Sequence, residues 1–218
     1  MNRVGRLLSW LVPIAAVIAF VALYAVAAVL FPGGTRAEPT RTGFSFLHNY
    51  WCDLMDATTH GGRTNPGRPV ALAAMVVICG GLAVLWTAAP VLFRRAPRRG
   101  WVVRVAGVGC ALVAPWVGAG FHDRAIRVAV ALGAVAFVTT LTALEPEHAR
   151  REILRISGWC VLAVVAVTYF IWETGFGLPI LPALQKLAFI GFLIWVVLLA
   201  LRLRRVLETP ARGPWQGR

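Results

Sequence analysis

Side chains able to do acid–base, ligand-binding or metal chemistry are scarce in this chain, and they gather at a few places. His48, Asn49, Asp53, Asp56 and His60 fall in one stretch, Phe44 to His60, between two long apolar runs. His122 and Asp123 lie where a third apolar run meets a fourth, Glu173 closes a fifth, and Gln185 with Lys186 begins a sixth. On a helix Asn49 and Asp53 share a face, and Asp56 and His60 have the same spacing. Brought together, His48, Asn49, Asp53, Asp56, His122, Asp123, Glu173, Gln185 and Lys186 would line a polar pocket for a lipid headgroup or small ligand. His48, His60 and His122, helped by Asp53 and Asp123, offer the nitrogen and oxygen donors that a divalent metal such as zinc prefers. No HExxH, HxxxH or CxxC spacing is present, so such a centre would draw its ligands from separate segments. Ser45 and Cys52 are isolated as nucleophiles, with no GxSxG around them, and no P-loop or dinucleotide-binding glycine pattern occurs.

The same residues have plainer readings. Tyr50 and Trp51 are suited to anchoring at a membrane interface, with Asp53 as a local cap. Asp123 is placed to N-cap the fourth apolar run. Glu173 near a helix C-terminus and Lys186 near a helix N-terminus each oppose the helix dipole, at a cost of roughly 0.3–1 kcal/mol. An ion pair between them across the Gly175–Leu181 turn would offset both costs. Otherwise Lys186 would snorkel to the surface.

The elements that must position these groups are apolar. The 218 residues are 59% hydrophobic and 14% charged, against about 25% charged in a soluble domain. Six runs near the roughly 20-residue length of a bilayer span can be counted. They are Leu7–Phe31, Pro69–Phe93, Trp101–Gly120, Ala125–Leu144, Ile153–Trp172 and Pro179–Leu203. The fold expected is all-α: a single bundle of six transmembrane helices over residues 1–205, followed by a short cytoplasmic tail over 206–218. The first run exceeds the roughly 7–15 apolar residues of a signal peptide and reads as an uncleaved helix. Within the connecting segment 32–68, Phe44, Leu47, Trp51, Leu54 and Met55 recur at helical spacing, predicting a short amphipathic helix between spans one and two. Asn65-Pro66 predicts the turn into span two. Small residues in the first four spans predict close helix packing.

The formal charge of +13 does not indicate nucleic acid, because the arginines sit at the ends of the spans. With the N-terminus inside, the inner segments carry 15 of the 22 basic residues, among them Arg94, Arg95, Arg98, Arg99, Arg150, Arg151, Arg204 and Arg205. Positive-inside asymmetry then places both termini in the cytoplasm and the polar stretch on the outer side of a plasma (inner) membrane. Glu145, Glu147, Glu152 and Glu208 lie beside arginines and read as surface ion pairs. One lysine against 21 arginines points to a GC-rich bacterial genome. The middles of the spans are nearly free of charge, which argues against an ion pump or secondary transporter.

His48-Asn49-Tyr50-Trp51-Cys52-Asp53-Leu54, Asn65-Pro66-Gly67-Arg68-Pro69, Phe121-His122-Asp123 and Leu181-Pro182-Ala183-Leu184-Gln185-Lys186 together resemble a group of six-span bacterial membrane proteins with no established activity. The resemblance runs from Phe44 to Trp195. More distantly, the layout is similar to the Frag1/DRAM/Sfk1 family of six-span proteins, which implies a link to lipid remodelling and membrane regulation. It is faintly similar to ceramidase-like membrane hydrolases, which imply a Ser, Asp and three-His zinc site, although this chain has six spans rather than seven and lacks their HxxxH pair. Three functions follow as expectations: a membrane protein binding a lipid or small ligand on its outer side, a metal-dependent hydrolase acting on a lipid, or a structural or regulatory membrane subunit.

Overall fold

The computed structural model describes residues 2–93, 96–118, 122–144 and 148–208, leaving out the side chains of 118, 122 and 148–151. The fold is all-helical. Its long helices are α1 (Arg3–Leu30), α2 (Arg68–Ala88), α3 (Pro97–Val113), α4 (His122–Ala143), α5 (His148–Thr174) and α6 (Leu181–Glu208). Six helical segments are long and apolar enough to cross a membrane, the architecture of a multi-pass membrane protein. At 1.5 Å per residue, the 28 residues of α1 reach about 42 Å, more than the roughly 30 Å hydrocarbon core.

Local chemistry sets the helix ends. Asn2 caps α1, its side-chain oxygen accepting from Gly5 N at 2.8 Å. Pro69, Pro97 and Pro182 stand in the first turns of α2, α3 and α6, where a missing N–H costs nothing. Pro90 and Pro115 tighten the ends of spans two and three into 3-10 turns, Ala89–Leu92 and Ala114–Gly118. The tail expected from residue 206 begins inside α6, which runs to Glu208; residues 209–218 lie outside the described residues. So do Arg94, Arg95, Phe121 and the 145–147 connection.

The bundle packs α1 on α2 and α6, α3 on α4, and α5 on α6. Its centre is aromatic: Trp195, wholly buried, lies against Phe137, Trp86 and Phe192, and donates its indole N–H to Leu154 O at 3.0 Å. Small residues let the helices approach. A Cβ added at Gly107 would stand 2.3 Å from the Trp86 ring, at Gly158 2.3 Å from Leu141, and at Gly81 2.3 Å from Ala16. The outward faces carry large apolar side chains, including Ile18, Val29, Val76, Trp101 and Leu112. In water this surface would be an aggregation hazard, whereas against lipid tails it is ordinary.

Alternating helix directions put the start of α1 and the end of α6 at one end of the bundle. Segment 32–67 covers the other end as a cap. Its helical content is confined to one 3-10 turn, Cys52–Met55, preceded by a turn over 46–49. The predicted outer helix therefore exists in shortened form. Phe44 and Leu47 are not on it, because side chains claim the backbone groups that a longer helix would have paired.

Candidate functional site

The cap is held by side chains bonding to backbone. The Asn49 side chain is wholly buried: Oδ1 accepts from Ser45 N at 2.9 Å, and Nδ2 donates to Gly34 O at 2.8 Å and to Asp53 Oδ2 at 2.8 Å. Asp53 Oδ2 also accepts from Tyr50 N at 2.9 Å, and its Oδ1 lies 3.5 Å from His60 Nε2. Asn65, also buried, donates through Nδ2 to Leu54 O and Asp56 O at 3.0 Å each and accepts at Oδ1 from Gly67 N at 3.0 Å. Arg68 Nε donates to Met55 O at 3.0 Å, fixing the 3-10 turn to the start of α2. Gly67 is required by the close approach there, since a Cβ would stand 2.5 Å from Ala27 O of α1. Short polar side chains that bond locally to backbone hold turns in this manner.

Lys186 joins cap and bundle. It lies one turn into α6 and is 1% exposed. Its ammonium donates to Asn49 O and, at 3.1 Å, to Pro182 O. The rings of Phe46, Phe44 and Trp51 surround it at 5.3, 5.6 and 5.8 Å from nitrogen to centroid, within the roughly 6 Å reach of a cation–π contact. Beside it, Gln185 Oε1 accepts from Trp51 N at 2.9 Å, and its Nε2 lies 3.7 Å from Cys52 Sγ. Burial pushes the Cys52 thiol up to about 11 despite this contact, so it is a neutral thiol at physiological pH rather than a nucleophile. Burial likewise raises the Tyr50 phenol, opposed by Arg36.

Beneath the cap is a cavity of about 370 Å³. Trp51, Cys52 and Met55 roof it. Phe20 and Tyr24 of α1, Ile126 and Val130 of α4, Val165 and Tyr169 of α5, and Ala188 and Phe189 of α6 are among its walls. Among the described residues, no Asp, Glu, Lys, Arg or His lines it. It falls within the 300–1,000 Å³ typical of small-ligand sites and shares their apolar lining.

The chain matches no protein-family model, no curated protein and no solved structure. The site must therefore be judged on its own geometry.

That geometry sorts the residues singled out from sequence. Asn49, Asp53, Gln185 and Lys186 do converge, but as the frame of the cap; of these, Gln185 alone reaches the cavity wall. His48 is exposed, its Nδ1 3.0 Å from Ser45 Oγ within one turn. His60 turns to Asp53, and Asp56 is exposed in the loop that Asn65 grips. Asp123 stands inside the first turn of α4 rather than at its cap, because the helix begins one residue earlier. There its charge complements the dipole. His122 opens α4, and its side chain lies outside the described residues. Among the described residues no three His, Cys, Asp or Glu side chains come together as metal ligands. The Glu173–Lys186 ion pair is not formed: Glu173 Oε1 pairs with Arg127 of α4 at 3.5 Å, and Lys186 turns inward beneath the cap. Snorkelling fails for the same reason, since two carbonyls and three rings inside satisfy the ammonium.

The sequence marks Asn65 as a turn residue but not as a buried side chain of the cap, and it marks neither the Arg127–Glu173 pair nor the cavity. Asn65 was visible as an Asn-Pro-Gly at a helix start, a place where an amide caps backbone. The cavity had no local signal, because its walls come from α1, α2, α4, α5 and α6, the 3-10 turn at the end of span three and the cap, and look like any other apolar positions.

Proposed function

We propose that this protein binds a lipid by its hydrocarbon part in the cavity beneath the cap, on the extracytoplasmic side of a bacterial plasma membrane. The observation that carries this reading is the cavity itself. A largely apolar space of about 370 Å³, with no charged side chain among the described residues that line it, sits inside a bundle whose outer surface carries large apolar side chains. This differs from a pocket that recognises a headgroup, since the charged and amide side chains are spent on holding the cap. The arginine asymmetry supports placing the cap outside and both termini in the cytoplasm. The Frag1/DRAM/Sfk1-like layout of spans fits a role in handling membrane lipid.

Filling the cavity tests the reading. Ala188 is buried and lines it, one turn from Gln185. In Ala188→Trp the indole would occupy the space, while Leu187→Trp would add the same ring on an exposed neighbouring position. Native mass spectrometry of purified protein is expected to show lipid adducts in wild type and Leu187→Trp. In Ala188→Trp, with an unchanged elution profile, they should fall to background. Equal lipid retention in both variants would refute binding in the cavity.

A further inference from the structure

The proposed lipid site leaves open which lipid fits. We infer that it takes an isoprenoid quinone. The flat ring lies against an aromatic wall of the cavity, a ring carbonyl accepts a hydrogen bond from the Tyr24 hydroxyl, and the tail runs out sideways between α4 and α5. This rests on the lipid-binding reading and names the ligand class, its donor and its orientation.

The donor follows from the hydrogen bonds already made. Gln185 accepts from Trp51 N and reaches toward Cys52 Sγ, and Thr168 donates to Val164 O at 2.7 Å. The Tyr50 and Tyr169 hydroxyls bond to Arg36 and Glu173. Trp51 presents its ring to the space and not its N–H, which has no accessible surface. Tyr24 differs from all of these. It lines the cavity and is 3% exposed, yet its hydroxyl bonds to no described residue and its oxygen keeps accessible surface. On a residue so deeply enclosed, that surface belongs to the cavity. A buried donor left unmade is costly. A water beside it would need about two to four polar partners, and the neighbouring groups are already spent. The partner it calls for is an acceptor on the ligand.

The class follows from the wall around that hydroxyl. Four rings meet in a closed circuit, and all four line the cavity: Tyr24 to Trp51 at 5.0 Å between centroids, Trp51 to Phe189 at 6.1 Å, Phe189 to Phe20 at 5.4 Å and Phe20 to Tyr24 at 4.4 Å. Such a wall holds a flat π-ring by offset and edge contacts that an alkyl chain does not make. No charged side chain stands among the described residues of the lining, so the acceptor must arrive with no charge beside it. A phospholipid ester sits next to a phosphate. A quinone carries its carbonyls on the ring itself.

Packing gives the tail its way out. Helices α4 and α5 are consecutive in the chain, yet over the described residues they scarcely touch. The cavity reaches both sides of this seam, at Ile126 and Val130 on α4 and at Val165 and Thr168 on α5. The seam faces hydrocarbon, and at the cap end Arg127 and Glu173 bridge it at 3.5 Å.

The test uses the full-length protein in detergent micelles, with bound ligand counted by native mass spectrometry. The probes are a decyl methylnaphthoquinone, the decyl methylnaphthalene that lacks its carbonyls, the methyl ester of myristic acid, and a methylnaphthoquinone with a long prenyl tail. Wild type is expected to bind the decyl naphthoquinone about 3- to 10-fold more tightly than the naphthalene, the ratio one hydrogen bond supplies. In Tyr24→Phe, which keeps the ring, the two should become equal. Equal binding of the two in wild type would overturn the Tyr24 contact without relying on any variant. A myristate ester that binds as tightly as the naphthoquinone would overturn selection by the aromatic wall. The long-tailed form should bind at least as well as the decyl form, and its rejection would overturn the sideways route. Lipid adducts that Ala188→Trp removes, with no naphthoquinone bound by wild type, would overturn the quinone class and leave cavity binding standing. An unaltered lipid content in Ala188→Trp would remove the underlying reading itself.

Discussion

Lys186 is the residue on which the cap depends most. A buried ammonium is costly unless hydrogen bonds and opposite or π-electron charge replace its water. Two carbonyl oxygens and three aromatic rings stand around it here. Lys186→Met keeps the length and loses the donor, leaving Asn49 O without its bond to α6. The expected loss is about 1–3 kcal/mol of local stability, read as faster hydrogen exchange over residues 45–56 with the helices unchanged. Unaltered exchange in that stretch would show that the ammonium does not hold the cap. Cys52 gives a second expectation at this scale. Its folded-state thiol titrates near 11 because of burial, so the thiolate appears only as pH rises toward that value. At pH 8 about 0.1% is ionised, against roughly a quarter of a free thiol near 8.5. In a chain with Cys79, Cys110 and Cys160 changed to Ala, iodoacetamide should modify Cys52 about 200-fold more slowly than a free thiol at pH 8, and faster with each step upward. A rate that levels off below pH 9 would contradict the buried thiol. Sequence singled out residues that converge at the cap without showing what each of them bonds to. Asn49, Asp53 and Lys186 stood out because polar groups are rare beside spans. What they bond to depends on a fold of the cap that no spacing encodes.

Elements were legible to the degree that hydrophobic length alone determines them. Each of the six spans was visible as a run of about twenty apolar residues, and each is a helix. The cap was legible only in outline. Of its apolar positions at helical spacing, Leu54 and Met55 are buried, Phe44 and Trp51 half-buried and Leu47 exposed, and side chains of Asn49, Asp53 and Asn65 take over backbone groups and limit regular structure to Cys52–Met55. Glycines were read as packing residues in general, and the structure separates them. Gly107 leaves no room beyond the Trp86 ring, whereas a Cβ at Gly80 meets nothing within 4 Å. Gly107→Ala should therefore destabilise the bundle by about 1–3 kcal/mol through overpacking between α2 and α3, while Gly80→Ala should be neutral. Thermal unfolding in detergent micelles distinguishes them, and equal midpoints would mean that α3 shifts away from Trp86 at little cost. This assignment also bears on a subunit role. Gly81, Gly107 and Gly158 are occupied by contacts within the chain, so they are not an open small-residue face for another protein.

At the scale of the molecule, six helices long and apolar enough to cross a membrane put the start of α1 and the end of α6 on one side and the cap on the other, and the proposed orientation rests on the arginines. Moving Arg and Lys across a membrane is opposed during insertion, so the side richer in them stays in the cytoplasm. The segments that the sequence assigns to the inner side hold 15 of the 22 basic residues, and of these Arg98, Arg99, Arg104, Arg204 and Arg205 lie near the start of α3 and the end of α6. The cap carries Arg36, Arg41 and Arg63, yet Glu38, Asp53 and Asp56 accompany them, and Arg41 pairs with Glu38 at 3.4 Å. The field at that end is nearer balance. A single cysteine placed at exposed Arg41 of the cap, in a chain otherwise free of cysteine, should react with a membrane-impermeant maleimide on intact spheroplasts. A cysteine at Asn2, beside the start of α1, should react only after the membrane is opened. Any lipid entering between α4 and α5 near the cap would then come from the outer leaflet, because that seam ends at Arg127 and Glu173 on the cap side. Labelling in the reverse order would turn the molecule over and assign the cavity to the cytoplasmic leaflet.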